Sequence, residues 1–314
     1  MNKLAKIPRP SVTTTPANFA DLVNRFLQSQ DIRDASKRTY ARALKQFGAW
    51  IDATPRGEYT RETILQFKTD LINRGLEPFT VSGYLSAVKR FFTWAEGAKL
   101  YPNIAKDIKL MGRDRSFKKD SFTPDQARAL LAAVDTGTPQ GKRDFAIINL
   151  MIRTGLRTVE IIRANVGDIS NKGNQTVLYI QGKGKDGKND FVILTPATLQ
   201  PINSYLETRN PANPDAPLFA TISNRNQGGR MTTRSISRLT KSAIDRIAPN
   251  RDRLTAHSCR HSAVTFALLG GATIQEAQVL ARHADINTTL IYSHNIDRMG
   301  SAPELKVDSI LTIP

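Results

Sequence analysis

The stretch from Thr255 to His294 reads TAHSCRH, then SAVTFALLGGATIQEAQVL, then ARHADINTTLIYSH. It holds all 4 histidines of the chain, the only cysteine (Cys259), Arg260, and Tyr292 in a polar loop-to-helix setting. His257 and Arg260 stand three apart, so on a helix they share a face, and His261 lies one turn beyond His257. The middle run is expected to be helical. His283 then precedes a turn, ADIN, and a short helix that carries Tyr292. Three readings compete for this cluster. A metal site would use the i, i+4 spacing of His257 and His261. Against it, Ser258 stands where H-E-x-x-H needs its glutamate, and a lone cysteine offers no second ligand pair. A packed core would absorb the same groups as hydrogen-bonded polar residues. The third reading is phosphate-ester chemistry without a metal, with arginines in place of the cation and a tyrosine as nucleophile.

Upstream, TGLRTVEII (Thr154–Ile162) places Gly155 at the end of one helix, Arg157 in a tight connection and Glu160 at the opening of the next. Leu156, Val159, Ile161 and Ile162 flank Arg157, so its guanidinium is expected to be partly buried, and a buried guanidinium needs an anion. Either Glu160 alone serves and the pair locks the turn, or Glu160 steadies Arg157 toward a phosphate. Between Val166 and Leu194 the apolar period changes to two. Thr176–Ile180 and Asp190–Leu194 read as strands joined across GKGKDGKN, with Asp186-Gly187 as the turn. That tip carries Lys183, Lys185 and Lys188, as solvated edge protection or as groups that reach DNA. GKGK lacks the spacing of a phosphate-binding P-loop.

Other elements follow from caps and stripes. Thr123-Pro124-Asp125-Gln126 is a capping box ahead of ARALLAAV, and a buried helix is expected over Arg143–Thr154. A helix after Thr195-Pro196 runs to about Arg209. Another, from Thr232 to Ala248, turns Arg234, Arg238, Lys241 and Arg246 outward. Nearer the N-terminus, four amphipathic helices are expected: from Ala17, after Ser36 as N-cap, from about Thr60 to Arg74, and after Thr80 to Gly97. They form a small helical bundle whose leftover faces carry Arg33, Lys37, Arg38, Arg42, Lys45, Lys89 and Arg90. Such a run is either a solvated face or a DNA surface. The basic stretch Met111–Ser121 breaks the periodicity and reads as a linker.

Composition narrows the partners. Lys and Arg number 45 against 28 Asp and Glu, a net charge of +17 with a pI of about 10.2, in 314 residues. Both halves of the chain, divided at Arg115, are basic, which favours a polyanion such as DNA or RNA over a neutral partner. No apolar run approaches the ~20 residues of a membrane helix. The basic N-terminus lacks the apolar core of a signal peptide, and a single cysteine suits a reducing cytoplasm.

TGLRTVEI, QGKGKDGKNDFVIL, HSCRH, ARH and LIYSH, in this order and spacing, resemble the tyrosine recombinase (phage integrase) family, in the two-domain layout of its Xer-like members. The resemblance implies a mainly α fold with a small antiparallel β-sheet: an N-terminal four-helix SAM-like core-binding domain followed by the catalytic domain. The expected division is a disordered N-terminus over 1–15, a DNA-binding domain over 16–110, a linker over 111–121, a catalytic domain over 122–296, and a tail over 297–314 that docks on a neighbouring protomer. It implies that Tyr292 attacks a DNA phosphate to give a 3′-phosphotyrosyl bond, with Arg157 and Arg260 on the non-bridging oxygens. Lys183 protonates the departing 5′-oxygen, His257 and His283 assist proton transfer, and Glu160 and His261 are supports. Nearby guanidinium and imidazole groups are expected to favour the ionised phenol. The DNA-contacting set is Arg38, Arg42, Lys45, Lys89, Arg90, Arg234, Arg238 and Lys241. No cofactor or metal is expected. The partners are double-stranded DNA, as a core site with inverted arms, and further recombinase protomers, two on a site and four in the synapse, of this chain or with a related recombinase. No membrane is involved. The alternatives are a topoisomerase IB-like or telomere-resolving enzyme with the same chemistry, or a non-catalytic DNA-binding regulator.

Overall fold

In the computed structural model, residues 16–54, 58–112, 121–182, 184–222, 226–248, 253–293, 308 and 311 are described. The chain divides into two units, Met1–Asp114 and Arg115–Pro314.

The first unit is built from α1 (Pro16–Ser29), α2 (Asp34–Ala53), α3 (Arg61–Asn73) and α4 (Pro78–Gly97). Each presents an apolar stripe to one core, and aromatic rings fill it. Phe47 meets Phe67 edge-on at 5.0 Å between centroids, and Phe26 meets Phe91 at 5.7 Å. Such pairs add about 0.5–1.5 kcal/mol each beyond burial. Gly48 lets α1 approach α2, since a Cβ there would sit 3.0 Å from the Phe19 ring. Two helices begin earlier than expected. The amides of Ser36 and Lys37 both donate to the Arg33 carbonyl, so α2 opens at Asp34 and Ser36 is already inside it. Pro78 takes the first position of α4 with its φ preset for helix, and Thr80 is likewise internal.

The second unit opens with α5 (Pro124–Ala132). The expected capping box is present: Gln126 N donates to Thr123 Oγ1 at 3.2 Å, and Thr123 N donates to Gln126 Oε1 at 3.0 Å. Next, α6 (Pro139–Thr154) starts ahead of Arg143, because Thr138 Oγ1 accepts from Gly141 N at 3.0 Å and Pro139 follows the cap. This helix is buried along most of its length, packed against α8 (Pro196–Arg209) and α10 (Ala256–Leu269). It stops at Gly155, whose φ of 63° is left-handed. Beyond it lie α7 (Thr158–Arg163) and an antiparallel three-stranded sheet in the order β1 (Ile169–Lys172), β2 (Gln175–Ile180), β3 (Asp190–Ile193). The first of these strands was not expected, since ISNK buries no residue and shows no alternation. Lys188 is not presented at the hairpin tip: its ammonium pairs with Asp168 at 2.6 Å. The chain finishes its described course with α9 (Thr233–Ile247), α10, α11 (Ile274–Ala281) and α12 (Asn287–Ser293). The run expected as one helix after His261 is therefore two. Gly271, at φ 91°, turns the chain, and Thr273 caps α11 by accepting from Glu276 N at 3.2 Å. Among the described residues no helix is long and apolar enough to cross a membrane.

Candidate active site

The turn after α6 is where the site begins. Gly155 frees the chain to leave α6 sharply, and Arg157 then becomes the N-cap of α7. Glu160, fully buried, reaches back from the third helical position. Its Oε2 accepts from Arg157 N at 2.8 Å and its Oε1 from Arg157 Nη1 at 2.7 Å. The pair locks the turn, and the Arg157 side chain remains 27% exposed. Arg260 enters from the first turns of α10. Only 2% exposed, it donates Nη1 to the Gly155 carbonyl at 2.6 Å and Nη2 to the Ala281 carbonyl. Burial pushes its pKa down to about 10, with help from Arg157 and Arg282, so it stays protonated at neutral pH.

Arg157, His257 and Arg260 line one cleft of about 370 Å³, together with Thr158, Ser237, Lys241 and Thr255. Two guanidiniums and an ammonium give this recess a positive lining that suits an anion. Lys241 pairs with Asp245 at 2.9 Å. Arg238 and Arg234 are exposed one and two turns earlier on α9. In the first unit, Arg38, Arg42 and Lys45 lie exposed on α2 at spacings that share a face. Arg90 is exposed and donates to Gln30 Oε1 at 3.1 Å, whereas Lys89 is half-buried with its ammonium on the Ile108 carbonyl at 2.7 Å. Lys183, the loop lysine with an expected chemical role, lies outside the described residues, as do residues 1–15, 113–120 of the linker and nearly all of the tail.

Tyr292 sits on α12 in a small apolar cluster with Val264, Leu268, Ala277 and Ala281, and is 3% exposed. Its hydroxyl lies 2.5 Å from His261 Nδ1. His261, expected as a support, holds the phenol. The imidazole rings of His257 and His261 meet edge-on at 4.5 Å, and His283 stacks on the Tyr292 ring at 6.2 Å with Nδ1 on Thr289 Oγ1 at 3.0 Å. The expected easing of phenol ionisation fails here. Burial pushes Tyr292 up to about 12, against the pull of Arg260 and Arg157. Neither His261 nor His283 gives charge to help, since burial, with neighbouring positive groups, takes His261 down to about 3 and His283 to about 4. Both are neutral at pH 7. They can exchange protons, but they do not stabilise a phenolate by charge. The Cys259 thiol, fully buried and raised to about 12, is inert.

One residue of this site had no role on sequence grounds. Arg282, the middle residue of ARH, is 9% exposed and pairs with Glu160 Oε2 at 3.1 Å. An arginine at the end of a helix is ordinary, so nothing in the pattern marks it. Among the described residues there is no group of three or more His, Cys, Asp or Glu suited to a metal ion.

Comparison with known proteins adds the following. The family model described as the phage integrase family matches residues 120–299, and that of the phage integrase N-terminal SAM-like domain matches residues 19–101. A tyrosine recombinase of Synechocystis is 27% identical over 300 residues, covering 90% of this chain and 94% of its own. The tyrosine recombinase XerD of Caulobacter vibrioides is 31% identical over 240 residues, 74% of this chain and 76% of its own. Among solved structures, the XerH site-specific recombinase in a post-cleavage complex with its palindromic difH substrate superposes with a TM-score of 0.76 at 18% identity, over 95% of this chain and 99% of that one. A lambda integrase tetramer bound to a Holliday junction gives 0.69 at 14% identity, over 90% and 78%. These two likenesses bear on the fold: mainly helical, with a small antiparallel sheet.

Proposed function

The chain belongs to the phage integrase family of tyrosine recombinases, and from that premise we propose how its own residues cut and rejoin DNA. The enzyme is a site-specific recombinase. Tyr292 Oη attacks the scissile phosphorus, a 3′-phosphotyrosyl bond forms, and the bond to the 5′-oxygen breaks. Lys183 supplies the proton that leaves with the 5′-hydroxyl. Arg157 and Arg260 bind the non-bridging oxygens and meet the charge that builds on them in the transition state. His257 and His283 hydrogen-bond the phosphate and pass the phenol's proton, and Glu160 fixes Arg157. One phosphodiester replaces another, so strand exchange needs no nucleotide cofactor and is reversible.

The observation that carries this reading is the shared cleft of Arg157, His257 and Arg260, with the phenol of Tyr292 held against His261. In that position ionising the phenol at pH 7.5 costs roughly 6 kcal/mol, given a pKa of about 12. We therefore read the DNA-free geometry as a resting state, in which Tyr292 must leave His261 for the cleft before cleavage.

The partner is duplex DNA, and the wider assembly follows the family. The helical unit over 16–110 and the catalytic unit over 122–296 hold a core site with inverted arms. Arg38, Arg42, Lys45, Arg90, Arg234, Arg238 and Lys241 lie on phosphates, and Lys89 does so only by leaving the Ile108 carbonyl. Two protomers occupy a site and four the synapse, with the tail over 297–314 exchanged between neighbours, in the cytoplasm. Covalent protein–DNA complexes recovered from cells test this. A recombinase yields one short core with inverted arms. Adducts scattered over unrelated sequence would instead indicate topoisomerase-like action.

A further inference from the structure

Arg282 occupies a place that its backbone disfavours. It caps the C-terminus of α11 at φ 52°, in the left-handed region where glycine or asparagine is usual. A larger residue there costs roughly 1–2 kcal/mol. Its side chain shows what that conformation gains. Nη1 donates to the Leu280 carbonyl at 2.8 Å; Nη2 donates to the Gly155 carbonyl at 3.1 Å and to Glu160 Oε2 at 3.1 Å.

Those last two acceptors also support Arg157 and Arg260. The Gly155 carbonyl also takes Arg260 Nη1, and Glu160 Oε2 also takes the Arg157 amide. Arg282 is thus a crosspiece between both anchors, and it stands directly before His283, at the entrance to the turn that leads into α12. It has an electrostatic effect as well. With one buried carboxylate shared between two guanidiniums, Arg157 is less fully neutralised than a private ion pair would leave it.

Resting on the recombinase reading above, we propose that Arg282 is a positioning residue for cleavage: it holds Arg157, Glu160 and Arg260 in register with the His283–Tyr292 segment, without touching DNA. A residue that merely stopped α11 would be replaceable by glycine, which suits the backbone better. The test therefore uses Arg282→Gly and Arg282→Lys in the full-length protein. The probe is a nicked suicide duplex built on the core site found in covalent complexes recovered from cells.

Arg282→Gly is expected to lower the cleavage rate at saturating DNA by roughly 10- to 100-fold, the size of effect a small misplacement produces. The half-saturating DNA concentration should stay within about threefold, since no phosphate contact is lost. Arg282→Lys, which keeps the charge but cannot span both acceptors, should fall between. Combining Arg282→Gly with Glu160→Gln should be no worse than the more damaged single variant, because both act through one carboxylate. A wild-type cleavage rate in Arg282→Gly, fully additive losses in the pair, or a loss confined to DNA affinity each overturns the proposal. If far-UV circular dichroism finds Arg282→Gly unfolded, Arg282→Lys decides: slowed cleavage at unchanged half-saturation supports bridging, and a wild-type rate overturns it. Wild-type protein that forms no adduct at all counts against the recombinase reading, not against Arg282.

Discussion

Exchanging Glu160 for Gln changes one heavy atom and removes the carboxylate that Arg157 and Arg282 share. The carboxylate is fully buried and accepts from Arg157 N, Arg157 Nη1 and Arg282 Nη2 at 2.8, 2.7 and 3.1 Å. An amide keeps a single acceptor oxygen, and its NH₂ must face a donor. Breaking a buried pair by removing one partner costs about 3–5 kcal/mol. Arg157 is 27% exposed and recovers part of that from water, so the net loss is about 2–4 kcal/mol. In a unit of some 200 residues each kcal/mol moves the melting temperature by about 2–4 °C, which predicts a drop of roughly 5–15 °C. The chain allows an internal control, because its 2 tryptophans, Trp50 and Trp94, both lie in the first unit. Tryptophan fluorescence should report an unchanged transition while calorimetry shows the second unit melting earlier. A calorimetric transition within about 1 °C of wild type would refute the reasoning: the charge of Glu160 would not then be what holds the guanidiniums.

Acid should destabilise the same unit. The buried imidazoles of His261 and His283 have pKa values lowered to about 3 and about 4, against about 6.5 in the unfolded chain. The unfolded chain therefore binds more protons between these values, so stability is full above pH 6.5 and falls as the pH drops through that window. For His261 the loss at pH 5 is about 1–2 kcal/mol, with less from the more exposed His283. Equal melting temperatures at pH 5 and 7.5 would contradict this. Gly155→Ala should cost about 1–2 kcal/mol in urea denaturation, since φ is 63° and the new Cβ would lie 3.4 Å from Ala263 Cβ. No loss would mean that the turn tolerates a side chain. Lys183→Ala should slow cleavage of an ordinary 5′-oxygen leaving group far more than of a 5′-thio one. Equal slowing of both would remove Lys183 from the acid role and turn attention to Lys185.

Much of this is legible in the sequence. The apolar stripes around Phe47, Phe67, Leu85 and Phe91 marked the helices of the first unit, and the Thr123–Gln126 box marked the start of α5. Arg157, His257 and Arg260 were each visible as motif members, and folding brings them to one cleft. What escaped notice depends on tertiary surroundings. The strand Ile169–Lys172 buries none of its residues, so its pairing with β2 leaves no alternation to read. Lys188 looked free at a hairpin tip because Asp168 is twenty positions away in the chain. Arg282 earns notice only from its φ and from acceptors contributed by the end of α6 and by α7. The acidity of Tyr292 was misjudged for a related reason. Charges nearby can be inferred from a motif, but the burial that outweighs them is set by the cluster of Val264, Leu268, Ala277 and Ala281.

The nucleophile can be tested most directly. Incubated with a nicked suicide duplex of its core site, the wild-type protein should accumulate a covalent adduct that survives denaturation, joined at a 3′-phosphate and leaving a free 5′-hydroxyl. Tyr292→Phe, which removes one oxygen and leaves the apolar cluster filled, should bind the same duplex and form none. Adduct that persists in Tyr292→Phe would contradict the assignment of Tyr292, and with it the roles given to the groups around it.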